Sequence, residues 1–504
     1  MSVLILVILA IPGGLATTLI GSRRIPAFAV GLATAVAVLI AALSIGGGDT
    51  VPLADTVVSG SDGLRILAVA WALSLLLFGC IDALLGNGPE VLGPSLIGLG
   101  VGAMGLSVAD AGIGFALLSA GGIATAVLPI GVARAGAESG ATLGVRFLRP
   151  MLAAALLSLV AVAWGASPVG PFASADPLGL VDPALRTAMG LGLLGMVGAV
   201  ALRSGAIPAH AWVARFAGTM PTSAISPTLG WGAAAFGMVA LGWVDVTLTA
   251  TGGDLGPERW IVGLFGLASI VLAGLAAILH DDLEHVLAYS IVQGAGVALL
   301  AFASPNPDAI AAGRDWLLAT AAVSAAFGGW VLVIRGTFGG RHRLADLHGW
   351  ARRSPVLGAA FLLVLLAAVG LPGMAAFGAR SRLIELTLPG PLGLVATAAA
   401  FAPIVYLGRI FVAGTGTMTE GVRSAPDARP RRPDGAVGGW ATGASPLHVG
   451  IAAVRINRHP MAAGAVVLAA LVALAAATGG AGSPAVSPAG GGLTGPEASA
   501  PVTE

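Results

Sequence analysis

Three stretches of the chain bring ionisable side chains close to residues that break helices. The first begins with Arg203, at the end of an apolar run, and contains Pro208 and His210. Trp212 and a further proline, Pro221, follow. Proline ends a helix, a helix broken at membrane depth exposes polar backbone groups that can line a wet path, and imidazole exchanges protons near neutral pH. The stretch therefore predicts either a proton path or a plain helix end with an interfacial arginine and an aromatic anchor.

The second stretch carries two histidines and three carboxylates between His280 and His285. These residue types can hold a metal ion, but their spacing does not match a known ligand pattern. We expect a tight turn between two helices and no metal. His280 and Asp282 remain candidates for a proton path.

The third stretch interrupts an apolar run at Pro372 and Gly373, and Arg380 and Arg382 follow. Like the first stretch, it places a helix breaker near a cation. The alternative is a helix end followed by two ordinary loop arginines.

The elements that position these residues are hydrophobic helices. The chain has 504 residues, of which 57% are hydrophobic and 10% are charged, and its mean hydropathy is +0.94. A soluble protein has about 25% charged residues, and about 20 apolar residues cross the hydrocarbon core of a bilayer. We predict an all-α integral membrane protein with about fourteen transmembrane helices, two of them discontinuous.

The spans divide the chain unevenly. We expect thirteen spans within residues 1–418, a linker rich in Arg, Pro and Gly at 419–460, the last span at 461–478, and a disordered tail at 479–504. The apolar start of the chain is interpreted as the first span rather than a signal peptide.

The arginines predict an orientation, because cytoplasmic loops of membrane proteins are enriched in Lys and Arg. If both termini lie on the outer side of the cell (inner) membrane, most arginines fall in loops on the cytoplasmic side. The few expected on the outer side are Arg65, Arg186, Arg259, Arg314, Arg380 and Arg382. Asp82 and Asp110 are expected at the membrane interface.

Several functions are excluded or disfavoured by composition. The formal net charge is +1, which gives no field for binding nucleic acid. Cys80 is the only cysteine, so an intrachain disulfide and a Cys-rich metal or iron–sulfur site are excluded. We find no flavin or nickel motif and predict no cofactor and no catalytic residue.

In order and spacing, these motifs resemble the antiporter-like, proton-conducting membrane subunits of respiratory complex I, of Mrp-type cation/proton antiporters and of membrane-bound hydrogenases. The similarity runs from about the fourth span through the thirteenth. In that family a helix with a buried lysine precedes Pro-x-His-x-Trp and Pro-Thr-x-x-Ser segments, and an Asp-Leu-x-x-x-Leu-Ala-Tyr-Ser signature, a Leu-x-Gly-Leu-x-Arg-x-x-Pro loop and a Gly-x-Pro-x-x-x-x-Phe segment follow. The residues similar to these motifs are Arg203, Pro208, His210, Trp212, Pro221, Thr222, Asp282, Leu283, Leu287, Ala288, Tyr289, Ser290, Leu347, Gly349, Arg352, Pro355, Gly370, Pro372 and Phe377.

The resemblance implies proton movement through buried lysines paired with a buried glutamate, and here the chain departs from the family. All 25 basic residues are arginine. Arg203 and Arg380 stand in the places of the two lysines, and Ser119 stands in the place of the glutamate. Arginine does not lose its proton in proteins. A relay in this chain would use the arginines as fixed charges, with His210 and water carrying protons.

The resemblance implies a membrane subunit that translocates protons or Na⁺ within a complex I-like, hydrogenase-like or Mrp-like assembly. Its partners would be the lipid bilayer and other subunits, which carry the redox chemistry. Two alternatives stay open: a docking subunit that kept the fold and lost transport, and a stand-alone secondary transporter of another substrate.

Overall fold

Long apolar helices make up most of the computed structural model, which describes residues 1–53, 56–127, 140–166, 183–249, 255–338, 340, 342–417 and 458–479. The helices of the first half are α1 (Ser2–Leu19), α2 (Arg24–Leu43), α3 (Asp62–Leu85), α4 (Leu92–Ser107), α5 (Ala111–Val127), α6 (Gly140–Ala166), α7 (Pro183–Ser204), α8 (Ala211–Thr219), α9 (Thr222–Ile225) and α10 (Gly232–Val244). Those of the second half are α11 (Gly256–Leu279), α12 (Leu283–Leu300), α13 (Pro307–Thr337), α14 (Trp350–Arg353), α15 (Pro355–Val369), α16 (Ala375–Thr387), α17 (Pro391–Ala400), α18 (Ala402–Thr415) and α19 (Arg458–Gly479).

The described residues contain ten helices that are long and apolar enough to cross a membrane. One bent pair, Leu344–Arg353 with Pro355–Val369, raises the number to eleven, and three shorter apolar helices accompany them. The predicted multi-pass helical architecture is therefore confirmed. The number of fourteen spans stays a prediction.

A small β-hairpin departs from the expected all-α chain. Strands β1 (Thr50–Leu53) and β2 (Thr56–Ser59) pair antiparallel, with Thr50 opposite Ser59. Both strands contain β-branched residues, which favour extended backbone. The amide of Ala109 donates to the carbonyl of Val57 at 3.0 Å, so the hairpin ties the segment before α3 to the segment after α4.

Close backbone contacts between helices depend on glycine. A Cβ atom at Gly14 of α1 would lie 2.6 Å from the carbonyl oxygen of Gly93 of α4. A Cβ at Gly266 of α11 would lie 2.9 Å from the carbonyl oxygen of Gly296 of α12. Lipid gives helices no hydrophobic reason to associate, and small residues allow the close packing that holds them together.

The last helix packs on the bundle through one face, with Val466, Ala470 and Ala473 buried and Leu468 and Leu471 exposed. Helix α19 packs against α3, α13 and α15. The predicted linker at 419–460 lies outside the described residues except for 458–460, which begin this helix. The predicted tail lies outside them beyond Gly479.

Three arginines expected in outer loops, Arg259, Arg314 and Arg380, are instead buried on helices, which corrects that prediction. Arg259 and Arg314 are each 6% exposed. The helices that carry them begin before the apolar windows do: α11 starts at Gly256, and α13 starts at Pro307, where the Asn306 side chain accepts a hydrogen bond from the amide of Asp308 at 2.9 Å. The predicted spans begin where the apolar runs begin, and charged residues fall outside such runs. Arg259 and Arg314 were therefore assigned to the loops before the spans.

Both predicted helix breaks are present. Helix α7 ends at Ser204, Gly205 adopts a left-handed conformation with φ of +70°, and α8 begins at Ala211. The amide of Ala206 turns back to the carbonyl of Ala201 at 2.9 Å, as at a glycine-terminated helix end. Pro208 lies within this break, but the helix ends earlier, at the glycine.

The second break separates α15 from α16. Gly370 and Gly373 have φ of +60° and +95°, and Pro372 lies between them. Pro221 precedes the first turn of α9 as its N-cap residue. Both breaks therefore use glycine for the backbone conformation and proline to keep the helix from continuing.

Replacing Gly205 by alanine tests the first break. The new Cβ would lie 2.0 Å from Cγ2 of Val213 and would need a positive φ. We expect Gly205→Ala to lower the free energy of unfolding by about 2 kcal/mol or more. The matched control is Gly195→Ala on α7, where nothing lies within 4 Å of the new Cβ. Thermal unfolding of the purified protein would measure both, and equal melting temperatures would contradict the assignment.

Candidate functional site

Arg203 lies buried at the end of α7, 4% exposed. Its Nη1 donates to the carbonyl oxygen of Thr228 at 3.2 Å. Thr228 belongs to a π-helical turn, Ser226–Trp231, between α9 and α10. Such turns interrupt the regular hydrogen-bond ladder of a helix and are frequent at functional sites. Here the partner of a buried guanidinium is a backbone carbonyl.

Two glycines make room for the Arg203 guanidinium. A Cβ at Gly232 would lie 2.5 Å from Nη2, and a Cβ at Gly122 of α5 would lie 3.2 Å from Nε. Ser119 lies one helical turn before Gly122 and is 7% exposed. Among the described residues its hydroxyl has no hydrogen-bond partner. The structure therefore brings α5 to Arg203 one turn away from Ser119.

Hydrogen bonds hold the first break in place. Trp212 donates from its indole nitrogen to the carbonyl of Leu202 at 3.2 Å. The amide of Ile207 donates to the hydroxyl of Ser269 on α11 at 3.0 Å. His210 occupies the N-cap position of α8 and is half-buried. Its Nδ1 is buried and has no partner among the residues that the structure describes.

Arg380 makes a similar site at the second break. It is 2% exposed, and its Nη1 donates to the carbonyl oxygens of Val369 at 2.8 Å and Ala400 at 3.4 Å. These residues end α15 and α17, where helix carbonyls lack intrahelical partners. The guanidinium also lies 4.3 Å from the ring centroid of Phe401 and 5.5 Å from that of Phe377. Carbonyls and ring faces together stabilise the positive charge.

Arg382, two residues further on, is different. It is exposed and pairs with Asp308 at 2.6 Å. Arg382 is therefore an ordinary exposed arginine, although it lies on α16 rather than in the loop that the alternative expected, and Arg380 is not.

A cavity lies next to Arg380. Ala400, whose carbonyl holds Arg380, is part of its wall. The polar side chains in the wall include Gln293 and Tyr406: the Tyr406 hydroxyl donates to Oε1 of Gln293 at 3.3 Å, and Nε2 of Gln293 donates to the carbonyl of Ala399 at 2.8 Å. Hydrogen-bonding groups thus line one side of a mainly apolar cavity.

Sequence analysis missed an ion pair at the end of the bundle that contains Arg24 and Arg335, called here the arginine-rich end. Glu284, in the first turn of α12, is 1% exposed, and it accepts hydrogen bonds from the Thr222 hydroxyl and from Nη1 of Arg335. The same Nη1 lies 3.2 Å from the Thr222 hydroxyl. One signal was available. Helix α12 is mostly apolar, which favours a position inside the bundle and hence burial of a carboxylate near its start.

Asp82 is also more buried than expected. It lies in the last turn of α3, is 6% exposed, and accepts a hydrogen bond from Nδ2 of Asn87 at 2.7 Å. Its carboxyl also hydrogen-bonds the Ser223 side chain. Asp110, in contrast, is exposed and accepts from the amide of Ile113 at 2.9 Å. Exposure of Asp110 fits the interfacial prediction, whereas Asp82 is buried among protein side chains at the end of its helix.

The stretch around Asp282 forms the expected turn. The Asp282 carboxylate caps α12 by accepting from the amides of Glu284 at 2.9 Å and His285 at 3.3 Å. Nε2 of His342 lies 3.1 Å away. Partial burial raises the pKa of Asp282, but the hydrogen bond to His285 and the charges of His342 and His285 outweigh it and hold the pKa at about 2. The carboxylate therefore stays ionised.

His280 lies beside this turn and stacks on His285, with ring centroids 5.5 Å apart. Its Nδ1 is 2.8 Å from the carbonyl oxygen of Ala276. In the described part of the chain, no group of three or more His, Cys, Asp or Glu side chains is arranged to hold a metal ion.

Comparison with known proteins identifies the family. The family described as NADH:quinone oxidoreductase/Mrp antiporter, transmembrane, matches residues 182–402, a segment that contains both helix breaks and the buried arginine at each break. NADH-quinone oxidoreductase subunit N of Cereibacter sphaeroides is 30% identical over 420 residues, covering 80% of this chain and 87% of that protein. The chain belongs to this family.

Other relatives match over shorter segments. Subunit N 3 of the Streptomyces griseus NADH-quinone oxidoreductase is 29% identical over 223 residues, so the alignment covers 42% of this chain and only 39% of that protein.

Solved structures match over nearly the whole chain. A chain of respiratory complex I from Thermus thermophilus has a TM-score of 0.62 at 18% identity and covers 92% of this chain and 99% of that one. A chain of the Mrp complex from Dietzia sp. has a TM-score of 0.62 at 20% identity, with 94% and 96% covered. These similarities confirm the antiporter-like fold of the family.

The buried ion pair at Glu284 allows a test of stability. Removing one partner of a buried pair leaves an uncompensated charge, which costs about 3–5 kcal/mol. Arg335 is 22% exposed, so the pair is not fully buried. We therefore expect Glu284→Gln and Arg335→Met each to lower the free energy of unfolding by an amount near the lower limit of that range. The double variant should lose less than the sum of the two. Thermal unfolding measures all three.

The control for this test is Arg382→Met, which breaks an exposed pair. It should leave the melting temperature almost unchanged, because water compensates exposed charges. Additive losses in the double variant would show that Glu284 and Arg335 do not stabilise each other.

Proposed function

We propose that this chain is a proton-translocating, or cation/proton-translocating, membrane subunit of a complex I-like, hydrogenase-like or Mrp-like assembly. The observation that carries the proposal is the pair of buried arginines, one at each helix break within the segment that matches the family. An intramembrane cation is expensive and is therefore a functional candidate by default. Relatives named as subunits of NADH-quinone oxidoreductase support the assignment to an assembly.

The arginines act as fixed charges in this proposal. A guanidinium keeps its proton, so Arg203 and Arg380 do not pass protons themselves. In a poorly solvated interior a unit charge changes the energy of a neighbouring charge far more than it does in water. Each arginine therefore raises the energy of an excess proton nearby and favours its transfer onward. His210 and His280 supply the groups that exchange protons, together with water, whereas the sequence-predicted candidate Asp282 stays ionised and acts as a fixed negative charge.

The chain is a multi-pass membrane protein, and we further propose that it lies in the bacterial plasma membrane with both termini outside. The orientation is supported by the alternation of arginine along the sequence, because cytoplasmic loops of membrane proteins are enriched in Lys and Arg. The arginine-rich end, with Arg24 and Arg335, would then face the cytoplasm.

A docking subunit without transport is the second candidate. It is favoured by Ser119, a hydroxyl in the place where the family resemblance implies a glutamate, and by the neutral carbonyl partner of Arg203. A stand-alone transporter has no comparable observation in its favour.

Co-purification tests the assembly directly. The full chain would carry a C-terminal tag, membranes would be dissolved in mild detergent, and co-purifying chains would be identified by mass spectrometry. Recovery with redox or antiporter subunits is expected. Recovery of this chain alone, as a monomer or homo-oligomer, would overturn the proposal.

Arg203 variants distinguish transport from docking. We expect Arg203→Met to lower proton uptake by membrane vesicles by about tenfold or more, because one preorganised charge at a reacting site is worth at least that much. Arg203→Lys should retain or raise the flux. The matched control is Arg65→Met, at an exposed position of α3. Equal flux for Arg, Lys and Met at position 203 would favour the docking subunit.

A further inference from the structure

Two buried carboxylates meet consecutive hydroxyls at the start of α9. The Glu284 carboxylate accepts from the Thr222 hydroxyl, and the Asp82 carboxyl hydrogen-bonds the next residue, Ser223. Thr222 and Ser223 are 2% and 4% exposed. Helices α3, α9 and α12 therefore converge on one polar cluster, to which α13 contributes Arg335.

The two carboxylates have different partners. Glu284 is paired with the guanidinium of Arg335, so its negative charge is neutralised in place. Asp82 hydrogen-bonds an amide and a hydroxyl, both of which are neutral. A neutral amide or hydroxyl can bond a carboxylate, and a hydroxyl can also accept from a protonated carboxyl. The surroundings of Asp82 therefore suit both of its protonation states.

Asp82 also has a route to solvent. Asn87, which donates to Asp82 Oδ1, is exposed in the segment after α3. The backbone amides of Gly86 and Asn87 donate to the Asp82 carbonyl at 3.0 and 2.9 Å, and Gly86 has φ of +85°. This glycine-terminated helix end folds the exposed amide back over the buried carboxyl. Asn87 is therefore an exposed side chain in direct contact with the buried Asp82 carboxyl.

We propose that Asp82 is a proton-binding site at the arginine-rich end of the bundle, covered by Asn87 and connected through Ser223 and Thr222 to the Glu284–Arg335 pair. This inference rests on the proposed function, because it names the group that would exchange protons with solvent at that end. A proton from water binds one carboxylate oxygen of Asp82. The neutral carboxyl can then donate to the Ser223 hydroxyl, and the same proton returns to water when the site is unloaded.

Binding a proton at Asp82 changes the charge next to the hydroxyl pair from negative to neutral. The charged groups that act on this site are Arg24 at the start of α2 and Glu90 beyond Asn87, together with the Glu284–Arg335 pair across the two hydroxyls. Loading of Asp82 therefore alters the electrostatic field at the residues that begin α9, the segment that leads to the Arg203 partner Thr228. Without Asp82 this coupling would be lost while the ion pair remained.

Infrared spectroscopy of the purified full chain in lipid membranes tests the site independently of transport. As the pH is stepped across the neutral range, we expect a buried-carboxyl C=O band that is lost in Asp82→Asn and shifted in Ser223→Ala. Asp82→Glu should keep a titrating band, which separates loss of the group from misfolding. Asp110→Asn, which removes an exposed carboxyl near a helix start, should leave the band unchanged.

Proton flux in vesicles then separates this inference from the proposed function. We expect Asp82→Asn to reduce the flux several-fold and Asp82→Glu to restore most of it. A titrating Asp82 band in a protein without flux would support the site and overturn the proposed function. Normal flux in Asp82→Asn, or a titration that is identical in parent and variant, would overturn the site and leave the proposed function standing.

Discussion

Every charge buried in this bundle must find its partner within the protein, because the surrounding lipid offers none. Several of the buried arginines bind backbone carbonyls at places where helices are interrupted. Arg203 binds a carbonyl in a π-helical turn, and Arg380 binds the carbonyls that end α15 and α17. Arg259 binds Phe302, in the short 3₁₀ turn after α12, at 3.2 Å. Helix interruptions are therefore what make buried arginines tolerable here.

This arrangement separates the buried arginines into two groups with different consequences. Those held by carbonyls retain a net positive charge, which for Arg380 is stabilised by the partial negative charge at two helix C-termini and for Arg203 by a carbonyl of the π-helical turn. Arg335 and Arg314 instead face the carboxylates of Glu284 and Asp245, the latter at 3.7 Å, so their charge is balanced. The balanced pairs stabilise contacts between helices, whereas the unbalanced arginines at the two breaks provide the field that the proposed translocation requires.

Local sequence patterns predicted the parts of this arrangement that depend on neighbouring residues. Proline and glycine beside Arg203 and Arg380 indicated both breaks, and Asp282 next to paired histidines indicated the turn. The contact between Glu284 and Arg335 was beyond sequence reasoning, since the two residues are 51 positions apart and only the fold brings them together. Asp82 was misjudged for the same reason: its position at a helix end indicated the interface, and its contact with Ser223 depends on how α3 packs.

The central claim is that Arg203 is a permanent charge on the ion path and not a proton carrier. The most direct test is the proton flux of vesicles containing the intact assembly, measured as a function of pH for the parent and for Arg203→Lys. Lysine in a poorly solvated site can release its proton, whereas arginine cannot. The account predicts that the lysine variant gains a titration step that the parent lacks. Flux equal to that of the parent at every pH in Arg203→Met would contradict it, because the charge at position 203 would then have no electrostatic part in translocation.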